Sequence, residues 1–446
     1  VGGLGVDRAE MLAAVALVVR ESDRFVSSVL RPRRGQVADR EVMAAAGFGR
    51  RQQALRRARP ARRARTRKKV GRLLDKRIGR TVRVVALSAL IALVAAACAT
   101  TKSSSGGGTP SGGAKKIALL LPETKTTRYE AQDRPLFEAK VKAVCADCQV
   151  IYSNAAQDAS KQQNQADAAL TNGAKVMVLD PVDSASAASI VSKAKAKSVP
   201  VISYDRLINN ADIDYYVSFD NVQVGKLQGQ ALVDKLKKDG KSGQIVMING
   251  APTDNNASLF KKGAHSVIDS SGFKVAKEYD TPDWSPNKAQ DEMEQAITAV
   301  GKNNFVGVYA ANDGTAGGAI AALKGQGISP SSRPVTGQDA ELAAVQRILT
   351  GEQYMTVYKA IKPEAEGAAQ LAVDIVNGKT PDASLVKDKT PNGQKDVPSI
   401  ILTPIAVTKD TAKETIGKMI SDGFLKAADI CAGPAASACQ TAGISS

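Results

Sequence analysis

Val199-Pro-Val-Ile-Ser-Tyr-Asp-Arg-Leu-Ile-Asn-Asn-Ala-Asp-Ile-Asp-Tyr-Tyr-Val-Ser-Phe-Asp220 decides how this chain is read. Its first part, 199–202, is an apolar run of the kind shown by a parallel strand buried on both faces. Where that strand ends, Asp205 stands beside Arg206. In open α/β sheets, ligands bind in the crevice beyond the carboxyl ends of the strands. A carboxylate and a guanidinium there can accept from and donate to several hydroxyls of one small polar molecule. A surface ion pair in a loop is the plainer reading of these two residues alone. The recurrence of the same pattern, strand then polar tip, favours the ligand.

Working outward, apolar runs predict strands over 117–121, 150–152, 176–179, 199–203 and 215–219, then over 244–248, 274–279, 305–310 and 334–336. Helical periodicity lies between them, over 131–144, 160–171, 184–196, 222–238, 257–269, 288–299 and 314–323. A βαβα series of this kind demands parallel sheets covered by helices on both faces. So many strands exceed one comfortable sheet, so the fold class is α/β with two similar doubly wound lobes. The stretch 356–404 adds short strands and one long helix, 363–377, suited to crossovers between lobes.

Polar residues gather where the strands end: Glu123, Asp180, Asp205 with Arg206, Asp254 to Asn256, Asp283 with Trp284, Asn312 with Asp313, Gln338 with Asp339, and Lys359. Asp and Asn are also favoured helix N-caps, and that reading falls most readily on Asp220 and Asn255. A cap does not account for Arg206, Trp284 or Lys359.

The formal net charge of +17 is unevenly placed. Residues 1–97 hold 23 Lys and Arg against 7 Asp and Glu, whereas the remainder holds 38 against 37. The body is therefore nearly neutral and carries no nucleic-acid footprint. Lys76, Arg77, Arg80 and Arg83 precede an uncharged apolar run, 84–97, and Cys98 follows Ala95-Ala96-Ala97. That order is a secretory signal over 76–97, too short to span as a helix. Cys98 after small residues resembles a bacterial lipobox, in which the thiol takes lipid and holds the protein to the membrane. Ala95 stands where that motif prefers Leu or Val. Residues 1–75 are Arg-rich and read as a disordered basic segment upstream of the true start. A Gly/Ser-rich tether completes 98–114. In an oxidising compartment Cys145, Cys148, Cys431 and Cys439 predict two disulfides. Three pairings are possible, and the local one joins 145 to 148 and 431 to 439.

Catalytic signals are missing. The single histidine, His265, lies in a helical stretch, so a Ser-His-Asp triad or a histidine metal site is hard to build. No Gly-x-x-x-x-Gly-Lys-Ser/Thr loop occurs, and no Gly-x-Gly-x-x-Gly follows the first strand. Binding without catalysis, with no cofactor and no metal, is the expectation.

The motifs taken together are similar to the periplasmic sugar-binding proteins of ABC importers, their xylose-binding branch most of all. The resemblance covers about 115–425. It is carried by Tyr204-Asp-Arg-Leu-Ile-Asn-Asn-Ala-Asp-Ile-Asp-Tyr-Tyr-Val-Ser-Phe-Asp-Asn221, Pro252-Thr-Asp-Asn-Asn-Ala257 and Ala311-Asn-Asp-Gly-Thr-Ala-Gly-Gly-Ala319. Gly337-Gln-Asp-Ala340, Met355-Thr-Val-Tyr-Lys359, Asp396-Val-Pro-Ser399 and Leu402-Thr-Pro404 complete it. It implies two lobes joined by three crossovers. One lobe spans 115–222 with 358–400 and the other 223–357 with 401–430, followed by a tail, 431–446. It also implies a monomer that closes on a monosaccharide, D-xylose first, and delivers it to the transmembrane subunits of an ABC permease. The implied sugar contacts are Arg128, Tyr129, Asp205, Arg206, Asp254, Asn256, Trp284, Asn312, Asp339 and Lys359. Tyr129 departs from the xylose binders, which carry Trp beside the first-strand arginine. A broader aldopyranose binder and a sugar sensor of the same fold are the alternatives. A repressor would need a helix-turn-helix where this chain has its apolar signal and tether.

Overall fold

A computed structural model describes residues 115–444. The basic segment, the secretory signal and Cys98 lie outside the described residues.

The first lobe opens with β1 (Lys115–Leu121), whose last five residues are buried because helices cover both faces of the sheet. A π-type turn, Tyr129–Asp133, leads into α1 (Arg134–Val144) with proline in its first turn, where the missing N–H costs nothing. There follow β2 (Cys148–Asn154), α2 (Ala159–Thr171), β3 (Val176–Leu179), α3 (Ala188–Ala196), β4 (Val201–Tyr204) and β5 (Tyr215–Phe219). The Cys145–Cys148 disulfide closes the turn between α1 and β2. The chain then leaves for the second lobe through α4 (Asn221–Lys238), β6 (Gln244–Asn249), α5 (Asn255–Ile268), β7 (Lys274–Asp280), α6 (Pro286–Val300), β8 (Gly307–Ala310), α7 (Asp313–Gly325), α8 (Leu342–Thr350) and β9 (Met355–Tyr358). It returns to the first lobe through α9 (Ile361–Val376), β10 (Asp388–Pro391) and β11 (Asp396–Leu402), then crosses again to β12 (Ile405–Thr408).

The first sheet has the order β2-β1-β3-β4-β5-β11-β10, parallel except for the edge strand β10. In the second lobe β7-β6-β8 are parallel, and β9 pairs antiparallel with β12. The predicted strand at 334–336 is reduced to a single bridge, Val335 to Val308. Backbone bonds from Tyr354 to Val335 and from Asp339 to Val357 still tie that segment to β9. Helix 184–196 begins only at Ala188, since Asp183 first closes a turn by accepting from the N–H groups of Ala185 and Ser186.

The lobes are joined at three places: between β5 and α4, between β9 and α9, and between β11 and β12. These crossovers run side by side, with the Asp220 N–H donating to the Leu402 carbonyl. Each lobe has its own apolar interior. The expected tail, 431–446, and the stretch before it carry helices. Helices α10 (Ala412–Ser421), α11 (Ala427–Ile430) and α12 (Ala436–Ala442) pack on Val345 and Leu349 of α8, and the Cys431–Cys439 disulfide joins the last two. No helix among the described residues is long and apolar enough to cross a membrane.

Candidate functional site

The strand tips of the two lobes face each other across a closed cleft. From the first lobe Thr126 and Tyr129 follow β1, and Asp205 and Arg206 follow β4. From the second, the start of α5 supplies Asp254, Asn256 and Phe260, and Trp284, Asn312, Gln338 and Asp339 come from three further loops. Lys359 projects from the second crossover. All are buried.

Local chemistry explains each placement. Asp205 has φ of 54°, a left-handed conformation with a cost of roughly 1–3 kcal/mol. Its carbonyl holds it there by accepting from Ser218 Oγ at 2.6 Å, Tyr216 OH at 3.1 Å and Asn256 Nδ2 at 3.0 Å. The last of these comes from the opposite lobe. Trp284 and Asp339 also have positive φ, so backbone strain collects around the cavity. The Trp284 indole donates to Asp254 at 3.0 Å and meets Phe260 edge to face. Its ring occupies the space above Gly250, where a Cβ would approach the indole to 1.9 Å, so no larger residue fits. Asp254 and Asn312 are helix N-caps, of α5 and α7, the latter in a reciprocal capping box with Thr315. Asp220 caps α4 as expected, whereas Asn255 is the first residue of α5 and its neighbour Asp254 does the capping.

Charges alternate around the cavity. Arg206 lies 3.0 Å from Asp254, and Lys359 lies 3.0 Å from Asp339, both fully paired in distance. Neither contact is aligned as a hydrogen bond: Arg206 Nε and one oxygen of Asp339 have no such partner among the described residues. Burial raises the Asp205 carboxyl, but Arg128, Lys359 and Arg206 outweigh it and hold the group down at about 2. Burial pushes Asp254 up, against the pull of Arg206. For Lys359 burial works downward and is overcome by Asp339 and Asp205. Non-atom space between these side chains totals about 260 Å³, but only about 20 Å³ is water-accessible, room for one water.

Nine of the ten expected residues line this space. Arg128 does not. It lies behind Asp205, pairing with Asp133 at 2.6 Å, Glu364 at 2.6 Å and Asp205 at 3.2 Å. The π-type turn starts at the next residue and sends Tyr129 into the cavity, where its hydroxyl donates to Asp205 at 2.9 Å. Phe260, Thr126 and Gln338 were not among the expected contacts. Phe260 was within reach of the sequence, since four residues after Asn256 it shares that residue's helix face.

Comparison with known proteins places the chain. Residues 117–380 match the periplasmic binding protein domain. The chain belongs to that family of substrate-binding proteins, which are not enzymes. Its similarity within the family is to sugar-binding members. It is 40% identical over 319 residues to the D-xylose-binding periplasmic protein of Escherichia coli, covering 71% of this chain and 92% of that one. It is 37% identical over 291 residues to the multiple sugar-binding periplasmic receptor ChvE of Rhizobium radiobacter, covering 60% and 80%. A carbohydrate transporter solute-binding protein from Chloroflexus aurantiacus in complex with D-glucose superposes with a TM-score of 0.63 at 30% identity, over 71% of this chain and 98% of that one. The extracytoplasmic placement inferred from the leader accords with these relatives.

Proposed function

We propose that this protein captures an aldopyranose, D-xylose first, between its lobes and presents it to an ABC permease, as a monomer held to the membrane by lipid on Cys98. The observation that carries the reading is the convergence of Asp205 and Arg206 from one lobe with Asp254, Asn256, Asn312 and Asp339 from the other, beside Trp284. A pyranose has an apolar C–H face and a rim of hydroxyls. Indole and phenyl rings suit the face, while carboxylates, amides and cations suit the rim. Opposite charges in near balance favour a neutral ligand over an anion.

Both lobes wall the cavity and bury its lining, so uptake requires them to part about the three crossovers. Sugar hydroxyls then take the places that Arg206 and Asp254, or Lys359 and Asp339, now fill for each other. Reclosure restores the bond between Asn256 and the Asp205 carbonyl, and the rim contact in which the Ser184 N–H donates to the Thr253 carbonyl. The closed surface is what a permease reads.

A broader aldopyranose specificity is the second reading. Tyr129, in place of the tryptophan of xylose binders, favours it, because a phenol engaged with Asp205 leaves more space than an indole. A thermal-shift and calorimetric panel of D-xylose, L-arabinose, D-glucose and D-galactose separates the two. At a hundredfold excess over Kd, a ligand adds about 2.7 kcal/mol of stability. D-Xylose is expected to give the largest shift and to change the fluorescence of Trp284, the single tryptophan. Equal shifts for all four establish the broad reading, and none for any of them ends both.

A further inference from the structure

A second, larger pocket lies on the hinge side of the cleft, with a water-accessible volume of about 650 Å³. That is within the range of small-molecule sites. Its floor is apolar, made by Leu207, Tyr216 and Phe219 of the first lobe and Leu259 of α5 in the second. Its walls are rich in amides. Asn209 donates from Nδ2 to Asn255 Oδ1 across the lobes at 3.3 Å, and among the described residues the Asn209 oxygen and the Asn255 amide nitrogen are uncommitted. Asn210 makes no side-chain hydrogen bond among the described residues.

Asn221 sets this pocket apart from a surface dent. Only 3% exposed, it lines the pocket, and its Oδ1 has no hydrogen-bond partner among the described residues. That oxygen is itself closed off from solvent, so Asn221 offers the pocket a buried amide joined to the cleft and not an open acceptor. The same side chain donates from Nδ2 to Asn256 Oδ1 at 3.0 Å, and Asn256 lines the cleft cavity. One asparagine therefore stands between two cavities.

The charges present argue against an ionic ligand. The Asp220 carboxylate is engaged in capping α4, and Asp388 accepts from the Ile401 N–H. Lys389 is a single exposed cation, not a cluster. Amide donors and acceptors over an apolar floor match a neutral molecule with hydroxyls and a C–H face.

We propose that the hinge pocket is a second binding site, for a small neutral polyol, and that its occupation favours the closed lobes. The coupling follows from the walls: Asn255 and Leu259 belong to one lobe and Asn209 to the other, so parting the lobes dismantles the pocket. By linkage, a polyol held there must tighten sugar binding by the same factor by which sugar tightens polyol binding. The coupling rests on the sugar reading; the pocket itself does not.

The test uses the chain in two states, alone and saturated with whichever sugar the panel selects. Each is titrated with glycerol, erythritol, xylitol and myo-inositol by calorimetry and ligand-observed NMR. Saturable binding of at least one polyol to the sugar-saturated chain is expected below about 10 mM, an affinity within reach of a few hydrogen bonds. Sugar release should slow at least about threefold when the polyol is present. Two pocket-filling variants, Leu259→Trp and Thr390→Trp, should abolish polyol binding and leave sugar affinity unchanged, each checked for folding by its thermal melt. Binding that survives in a folded variant overturns the site, as does the absence of saturable binding to either state. Polyol binding without any change in sugar release keeps the site and overturns the coupling. A chain that binds no sugar but still takes the polyol sinks the sugar reading alone.

Discussion

The two walls of the cleft carry similar side chains and hold them by different means. On the first lobe's wall Asp205 and Arg206 are fixed by buried charge. Arg128 takes a bidentate grip on Asp133 and reaches Glu364 and the Asp205 carboxylate, which stands on a left-handed backbone bend. On the second lobe's wall Asp254 and Asn312 are fixed by helix starts. Buried charge gives rigid placement, but every member depends on the others. A helix cap is modular, because its partner is the backbone of its own helix. The first wall should therefore fail as a unit, and the second residue by residue.

Arg206→Ala presses hardest on that contrast. It removes the cation facing Asp254, Asp180 and the Tyr129 hydroxyl, and leaves Asp180, whose carboxyl oxygens have no hydrogen-bond partner among the described residues, without that neighbour. Breaking a buried pair from one side costs about 3–5 kcal/mol. Urea unfolding should show a loss of that order, and calorimetry a fall in sugar affinity of at least tenfold, as one to two charge-assisted hydrogen bonds imply. Near-native affinity in the variant would remove Arg206 from the site.

Asn312 isolates the opposite wall. Asn312→Asp retains the oxygen that accepts from the Thr315 N–H and exchanges the amide nitrogen for a carboxylate oxygen. Asn312→Ala loses both. Stability should fall by about 1 kcal/mol in the alanine variant and hardly at all in the aspartate variant. Sugar affinity should fall in both, by roughly the 0.5–1.5 kcal/mol of a neutral hydrogen bond or more. If affinity tracks stability instead, so that aspartate restores both, Asn312 acts only as a cap.

How far the sequence could be read follows the same division. The tip of β4 was legible because the apolar run stops abruptly at two charges, and the capping residues because Asp and Asn recur where strands become helices. Which of two neighbours caps was not legible: Asp254 does so and Asn255 does not, a matter of one residue in φ and ψ. Nor was the direction of Arg128. Sequence places it beside Tyr129, but where the π-type turn begins the ring faces the cavity and the guanidinium lies behind Asp205. Phe260 was legible only through its spacing from Asn256, since on its own it has the look of any core residue of an amphipathic helix. The strand at 334–336 is reduced to one bridge, and Gln338-Asp339, just beyond it, turn into the cleft while the Asp339 N–H still donates to the Val357 carbonyl of β9.

The smallest effect concerns the contact between the walls at the cleft mouth, where Glu341 of the second lobe accepts from the Thr127 N–H of the first at 3.3 Å. Burial, then the charge of Asp339, pushes the Glu341 carboxyl up to about 7, against the Thr127 N–H and Arg347. Asp313 faces it as well, accepting from the Glu341 backbone N–H. An unfolded glutamate titrates near 4.3. Between these values the folded chain keeps a proton that the unfolded chain has lost, so stability falls as pH rises. The contribution of neutral Glu341 is complete below about 4.3 and lost on passing 7. Glu341→Gln keeps an acceptor for Thr127 and cannot ionise. Thermal melts of the two proteins should coincide near pH 5 and separate by pH 8 with the variant the more stable, by about 1 kcal/mol or less because Glu341 retains contact with solvent. Asp205, depressed to about 2, acts in the opposite sense and only in acid well below this window. Parallel curves from pH 5 to 8 would mean that the lobes meet at this rim without confining a charge.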